Sequence, residues 1–368
     1  MSTSPYQPLF TLTRQEACEL QAAANGRTQA PERRETVESI HYGAFTVVDA
    51  CGRLVAHIGD SQALSFLRSS AKPFQLMPFL EAGGQQAFDL RAEEIAVMCA
   101  SHSGTDRHAA VIREIQHRVG LSEADLRCGV HPPMDPATAE NLLKQGQPPT
   151  PIRHNCSGKH TGMLAFARLQ DLPLEGYLQP EHPVQERILQ TFAEMCDLPV
   201  EGVARGTDGC SAPNFAVPLY NAALAFARLC DPEAGEVESG LRAGVCRTIT
   251  AAMAGHGYMV AGPGRFDTRL MEVGGGRFVA KGGAEGYQCL GLTPGALGRG
   301  SPALGIAIKI ADGDPKARAR PAVSLQILNR LGALTDEDLD QLGEYGPELP
   351  VYNWRRLLVG WGKPCFEI

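Results

Sequence analysis

Arg68-Ser69-Ser70-Ala71-Lys72-Pro73 is the stretch on which the reading of this chain turns. Ser69 and Lys72 form a Ser-x-x-Lys motif after a strand-like region, and an apolar run, Pro73 to Leu80, follows. Ser69 suits a helix N-cap, and the three-residue offset sets Lys72 one turn later on the same side. The chemistry needs that offset. A serine hydroxyl is a weak nucleophile, and a neutral lysine amine within hydrogen-bond reach can remove its proton. The helix N-terminus also favours negative charge developing there. Pro73 is tolerated so early in a helix. Chance matches to Ser-x-x-Lys are common, so the motif needs company before it carries weight.

Outward from this stretch, the chain reads as strands, helices, strands, helix. Upstream, Phe45-Thr46-Val47-Val48 and Leu54 to Ile58 read as two strands joined by a turn over Asp49 to Arg53. Before them, Thr13 to Gly26 reads as a helix with a Thr13/Glu16 capping box, followed by a polar linker, RTQAPERRE. Downstream, Arg91 to Ala100, Asp106 to Val119, Val184 to Cys196 and Pro218 to Leu229 carry apolar residues at helical spacing, with Gly120 as a stop. From Met259 the pattern returns to short strands, Phe278 to Lys281, Tyr287 to Leu290 and Leu304 to Ile310. Gly274-Gly275-Gly276 reads as a hairpin turn, and Asp312-Gly313-Asp314 as the turn of another. Pro321 to Leu331 reads as a helix packed on that sheet.

The economical arrangement is an α/β fold with one discontinuous sheet domain. Residues 30–68 and 256–368 build it, residues 69–255 form a mainly helical domain between them, and residues 1–29 are an N-terminal helical extension. At 368 residues the chain has length for about two domains. With 43% hydrophobic and 20% charged residues it is not a mainly disordered chain. The net charge of −7 gives no general nucleic-acid footprint. No apolar run of membrane-spanning length and no signal-peptide pattern occurs, so a cytoplasmic protein is expected. The 11 cysteines are scattered without a CxxC pair, which favours reduced thiols over a disulfide framework.

Several motifs fail. Gly158-Lys159 lacks the rest of a P-loop, Gly209-Cys210-Ser211-Ala212-Pro213 misses the last glycine of a nucleophile elbow, and no H-E-x-x-H occurs. Two elements keep company with Ser69 and Lys72. Ser101-His102-Ser103 follows an apolar helix, in the order where serine β-lactamases and penicillin-binding proteins carry S-D-N. Lys281-Gly282-Gly283 ends a strand-like run, where those enzymes carry K-T-G. Alone, Ser101 reads as a loop hydroxyl and Lys281 as a solvated strand-end charge. Order and layout together favour the catalytic reading. Cys156-Ser157-Gly158-Lys159-His160 and Thr207-Asp208-Gly209-Cys210 read as two polar loops. Cys156 and Cys210 could meet on a zinc ion, with Lys159 or His160 completing the site, although spacing alone favours two buried thiols.

Five runs then resemble one family: Val37 to Gly43, Arg68 to Pro73, Cys99 to Gly104, Asn155 to His160 and Thr207 to Cys210. In this order, from about Arg34 onward, they are similar to the rhizobial-type L-asparaginases, the asparaginase II family of serine β-lactamase-like fold. The resemblance implies a mixed or antiparallel sheet flanked by helices, homodimers, and hydrolysis of L-asparagine to L-aspartate and ammonia. It implies Ser69 as nucleophile with Lys72, Ser101 with Lys281 as a second pair, and a zinc ion on Cys156, Lys159, Cys210 and water. Arg68, His160 and Asp208 are the corresponding substrate-binding candidates. The departures from K-T-G at Gly282 and from S-D-N at Ser103 argue against β-lactam hydrolysis. The competing readings are a Ser-x-x-Lys glutaminase or peptidase, and a non-catalytic family member that binds an amino acid or a metal.

Overall fold

The computed structural model describes residues 4–15, 35–237 and 240–368. Its first element is a strand, β1 (Gln7–Gln15). The helix expected over Thr13 to Gly26 is therefore absent where it can be examined, and its remainder lies outside the described residues. The reason is tertiary. β1 is paired on both sides, with β2 (Glu35–Asp49) and with the last strand of the chain, and Leu9, Phe10 and Leu12 are buried between them. Pairing on two edges outweighs a local capping pattern. Thr13, the supposed N-cap, instead donates its hydroxyl to Glu35 Oε2 at 2.9 Å.

The rest follows in chain order. β3 (Leu54–Ile58) and β4 (Leu64–Phe66) lead into a 3-10 turn over Arg68–Ala71 and helix α1 (Lys72–Glu81). Helices α2 (Ala92–Met98), α3 (Asp106–Val119), α4 (Ser157–Leu169) and α5 (Pro183–Met195) come next. A hairpin of β5 (Ala204–Thr207) and β6 (Pro213–Pro218) precedes α6 (Leu219–Cys230), α7 (Gly240–Gly255) and α8 (Phe266–Gly274). Strands β7 (Phe278–Gly282), β8 (Tyr287–Leu292) and β9 (Leu304–Ile310), helix α9 (Ala319–Arg330), and strands β10 (Leu349–Tyr352) and β11 (Leu358–Pro364) complete the fold. The four expected central helices are α2, α3, α5 and α6, and Gly120 ends α3 as read.

The large sheet is antiparallel throughout, in the order β10-β11-β1-β2-β9-β8-β7, with β3 beside the second half of β2. Both ends of the chain build it, and residues 7–15, expected in a helical extension, are one of its strands. Its central strands are buried on both faces, with α6 against β2, β8 and β9 and α9 against β1, β9 and β11. Gly305 permits the first contact, because a Cβ there would lie 1.8 Å from Ala223 O in α6. Within the helical part, β4, β6 and β5 form a small sheet that the sequence reading lacks.

Two expected hairpins are helix boundaries. Gly275, with φ 54°, caps the end of α8. Asp314 accepts the backbone N–H groups of Arg318, Ala319 and Arg320 at 3.0, 3.1 and 2.8 Å and starts α9. A carboxylate at a helix start satisfies donors that have no partner within the helix.

Candidate active site

Ser69 stands in the 3-10 turn that leads into α1, half-buried, one residue after Arg68. It is not an N-cap. The turn continues directly into α1, and no side chain caps either start. Arg68 has φ 51°, a left-handed conformation that costs a non-glycine residue about 1–3 kcal/mol. Three bonds hold this stretch in place: Leu67 N–H to Phe215 O at 2.9 Å, Arg68 N–H to Asn214 Oδ1 at 3.1 Å, and Arg68 Nε to Asp208 Oδ1 at 2.7 Å. Strand β6 and the hairpin tip thus fix the backbone that presents Ser69. The Ser69 hydroxyl has no hydrogen bond among the described residues. A surface cleft lined by Phe66, Arg68, Asn214, Glu285 and Lys309 reaches the residue before it.

Lys72 is buried one turn on. Its amine donates to Ala100 O at 2.6 Å, Ser101 Oγ at 2.9 Å and Asn155 O at 3.4 Å. Lys281, in β7, donates to the same Ser101 Oγ at 2.9 Å and to Gly282 O at 2.9 Å. Ser101 therefore bridges the two lysines, at the end of α2. Lys281 is no solvated charge, for its exposure is 0%. Burial, then the like charge of Lys72, push its amine down to about 7. Ser103 turns elsewhere and donates to Ala261 O at 2.7 Å. Gly282 has a structural cause. A Cβ there would meet Arg320 Nη1 at 2.2 Å and Asp267 Oδ2 at 3.2 Å, so a threonine in this place would have to displace the Arg320 guanidinium.

Cys156 and Cys210 meet, but not as exposed loops. Cys156 sits at the N-cap of α4, so the run to His160 opens a helix, and Cys210 lies between β5 and β6. Both are buried, as is Lys159, whose amine reaches Cys210 Sγ at 2.9 Å. A hydrogen bond from Cys210 holds the Cys156 thiol well below its ordinary range, against burial. Burial opposes the charge on Lys159, but Cys210, Cys156 and Asp208 outweigh it and raise the amine. Burial likewise opposes the Asp208 carboxylate, yet Lys159 and Arg68 hold it below the usual range. His160, fully buried, shares a 2.7 Å bond between Nδ1 and Tyr177 Oη, and burial lowers its imidazole to about 4. Among the described residues, no three His, Cys, Asp or Glu side chains are grouped to hold a metal.

The structure thus brings Ser101, Lys72 and Lys281 into one hydrogen-bonded unit and joins Arg68 to Asp208, and Cys210 to Lys159. It does not place Ser69 and Lys72 in hydrogen-bond contact. Sequence reasoning missed the supports. His154 Nδ1 accepts Cys156 N–H at 3.0 Å, His131 Nε2 accepts Asn155 N–H at 3.1 Å, and Asp267 accepts Gly282 N–H at 2.7 Å. Isolated histidines and one acid in a helical pattern carry no spacing that announces such roles.

The class to which this chain belongs is set by its family match and is amidohydrolase. Residues 30–363 match the L-asparaginase II family, and the chain belongs to that family. No curated protein matches the chain. Among solved structures it is similar to a β-lactamase from Mycobacterium bovis, at 14% identity and TM-score 0.42, over 85% of this chain and 99% of that one. It is also similar to the Bacillus subtilis glutaminase YbgJ in covalent complex with 5-oxo-L-norleucine, at 11% identity and TM-score 0.35, over 78% and 88% of the chains. A third similar structure is Mglu, at 15% identity and TM-score 0.36, where 81% of this chain covers 69% of that one.

Proposed function

We propose that this amidohydrolase converts L-asparagine to L-aspartate and ammonia through a covalent serine ester. Ser69 Oγ attacks the side-chain amide carbon and its proton passes to Lys72. The proton then goes to the departing nitrogen, ammonia leaves, and water hydrolyses the aspartyl ester, returning a proton to Ser69. The observation that carries this reading is the Ser101 hydroxyl shared at 2.9 Å by both lysine amines. Lys72 must be neutral when Ser69 gives up its proton. With Lys281 neutral, a proton moves from Lys72 to Ser101 Oγ while the Ser101 hydroxyl proton moves to Lys281. Lys72 is then free to act as base, and Lys281 carries the proton.

Arg68 and Asp208 pair opposite charges at the residue before Ser69, an arrangement suited to the zwitterionic end of a free amino acid, and His160, a neutral imidazole near Cys210, is the third substrate-binding candidate. Cys156 and Cys210 offer a zinc ion two buried thiols, and Lys159 would join them as a neutral amine once the ion displaced its proton. Bound zinc would supply a fixed positive charge and Lewis acidity beside the substrate, and water would be its fourth ligand. The family reading further supports a homodimer in the cytoplasm, and no described helix is long and apolar enough to cross a membrane.

Ammonia release from purified protein tests the reading, with L-asparagine, L-glutamine and D-Ala-D-Ala peptides compared, each with and without chelator. L-Asparagine as the preferred substrate is the expected result. Preference for glutamine or peptides would transfer the site to those reactions. Binding of asparagine without turnover would make the chain a sensor.

A further inference from the structure

Asp267, in the first turn of α8, is 4% exposed, and the mechanism above does not use it. Its Oδ2 accepts the N–H of Gly282 at 2.7 Å, and its Oδ1 accepts Gln288 Nε2 at 3.1 Å. The carbonyl of the same Gly282 receives the Lys281 amine at 2.9 Å. Arg320 Nη1 completes the network through Gln288 Oε1 at 3.0 Å. The absent Cβ of Gly282 leaves the space in which Arg320, Asp267 and Gln288 converge. No direct ion pair joins Asp267 to Lys281, so the carboxylate acts on the amine through space and through residue 282.

We infer that Asp267 is a positioning residue for Lys281, fixing Gly282 so that its carbonyl aims the amine at Ser101 and placing an anion near the buried amine. The groups facing Lys281 come from every side. Lys72 from α1 and Arg265 from the segment before α8 repel its charge, while Asp267 and Cys156 favour it. Cys99 after α2 and Cys289 from β8 are thiols held in their neutral form by burial. Asp267 itself stays ionised although burial opposes it, because Lys281, Arg320 and Arg265 surround it and Gly282 N–H binds it. Burial and Lys72 already bring Lys281 down to about 7. Removing the Asp267 charge lowers it further.

The inference rests on Lys281 belonging to the catalytic unit, and the experiment separates the two. Asp267→Asn keeps an acceptor for Gly282 N–H and removes the charge. In ammonia release from L-asparagine, the limb of kcat that rises through neutral pH should move to lower pH by roughly one unit or more. A lowered kcat with the limb unmoved would reduce Asp267 to a fold residue and overturn the inference. Thermal melting provides a second readout that needs no turnover. Asp267→Asn should lower Tm in the native chain and much less beside Lys281→Met, where the cation it serves is gone. Equal losses in both backgrounds, or failure of both Asp267→Asn proteins to fold where Lys281→Met alone folds, would also overturn it. If the native protein releases no ammonia from asparagine, the L-asparaginase reading fails, and the melting comparison still decides whether Asp267 serves Lys281.

Discussion

Ser69 and Lys281 make opposite demands on the chain. Ser69 is half-buried, caps no helix and makes no hydrogen bond among the described residues, so its hydroxyl is worth little to the fold. Ser69→Ala should leave stability within about 0.5 kcal/mol of the native protein. It should lower kcat by roughly 10³-fold or more, as loss of a covalent nucleophile does. Melting curves and ammonia release check both halves, and retention of more than a few per cent of activity would pass the nucleophile's role to Ser101. Lys281 is costly instead. In the folded chain its amine loses its proton near about 7, against ~10.4 in an unfolded chain. Between those values the unfolded state holds more protons, so stability rises with pH over that window. The cost of the buried charge is present in full below it. Lys281→Met removes this term. The Tm of the variant relative to native should therefore be most favourable below neutral pH and should decline steadily towards pH ~10. A difference independent of pH would show that Lys281 is not held near neutrality.

Strands and helices bring these residues together, and two substitutions test how. Gly282→Thr would restore the threonine of K-T-G to β7. Its Cβ would strike Arg320 Nη1, which could yield only by giving up Gln288 Oε1 and Tyr287 O. The expected result is a loss of about 1–3 kcal/mol in denaturant unfolding, lower asparaginase activity and no gain of β-lactam hydrolysis. The N-terminus of α4 and the β5–β6 hairpin converge on the two thiols. Elemental analysis should find about one zinc per chain, lost in Cys156→Ala or Cys210→Ala. Protein never exposed to chelator that holds no zinc would return both cysteines to plain core packing. The elements that the sequence made legible are those with a local signature. The period of α3, its stop at Gly120, the β2–β3 turn and the order Ser69, Lys72, Ser101, Lys281 are of that kind. Asp314 as a helix start, Asp267 beneath Gly282 and the place of Cys156 at the start of α4 depend on what another part of the chain brings to them. Thr13 is the sharpest case, since its capping-box spacing with Glu16 is genuine and β-pairing on two edges overrides it.

That pairing makes the start of the chain part of the sheet's interior. β1 lies between β2 and β11, and β10 is attached to the sheet only through β11. The sheet that carries Lys281 on β7 is thus closed on its other side by strands from the two ends of the chain. Leu9 and Phe10 are 0% exposed and Leu12 is 6% exposed. At about 1.5–3 kcal/mol for each buried side chain of this size, their loss alone would be comparable with the ~5–15 kcal/mol by which a domain is stable. Deleting residues 1–15 would also strip hydrogen-bond partners from two other strands and leave open edges prone to intermolecular pairing. The shortened chain should be insoluble or lack a cooperative melting transition, although none of the proposed site residues has been touched. A chain that lacks these residues yet elutes as a compact species, melts cooperatively and releases ammonia from asparagine at the native rate would show that β1 is an appendage. The alternative outcome, folding restored when a peptide of residues 1–15 is added in trans, would locate the defect in the missing strand itself, because only β1 supplies both edges with partners.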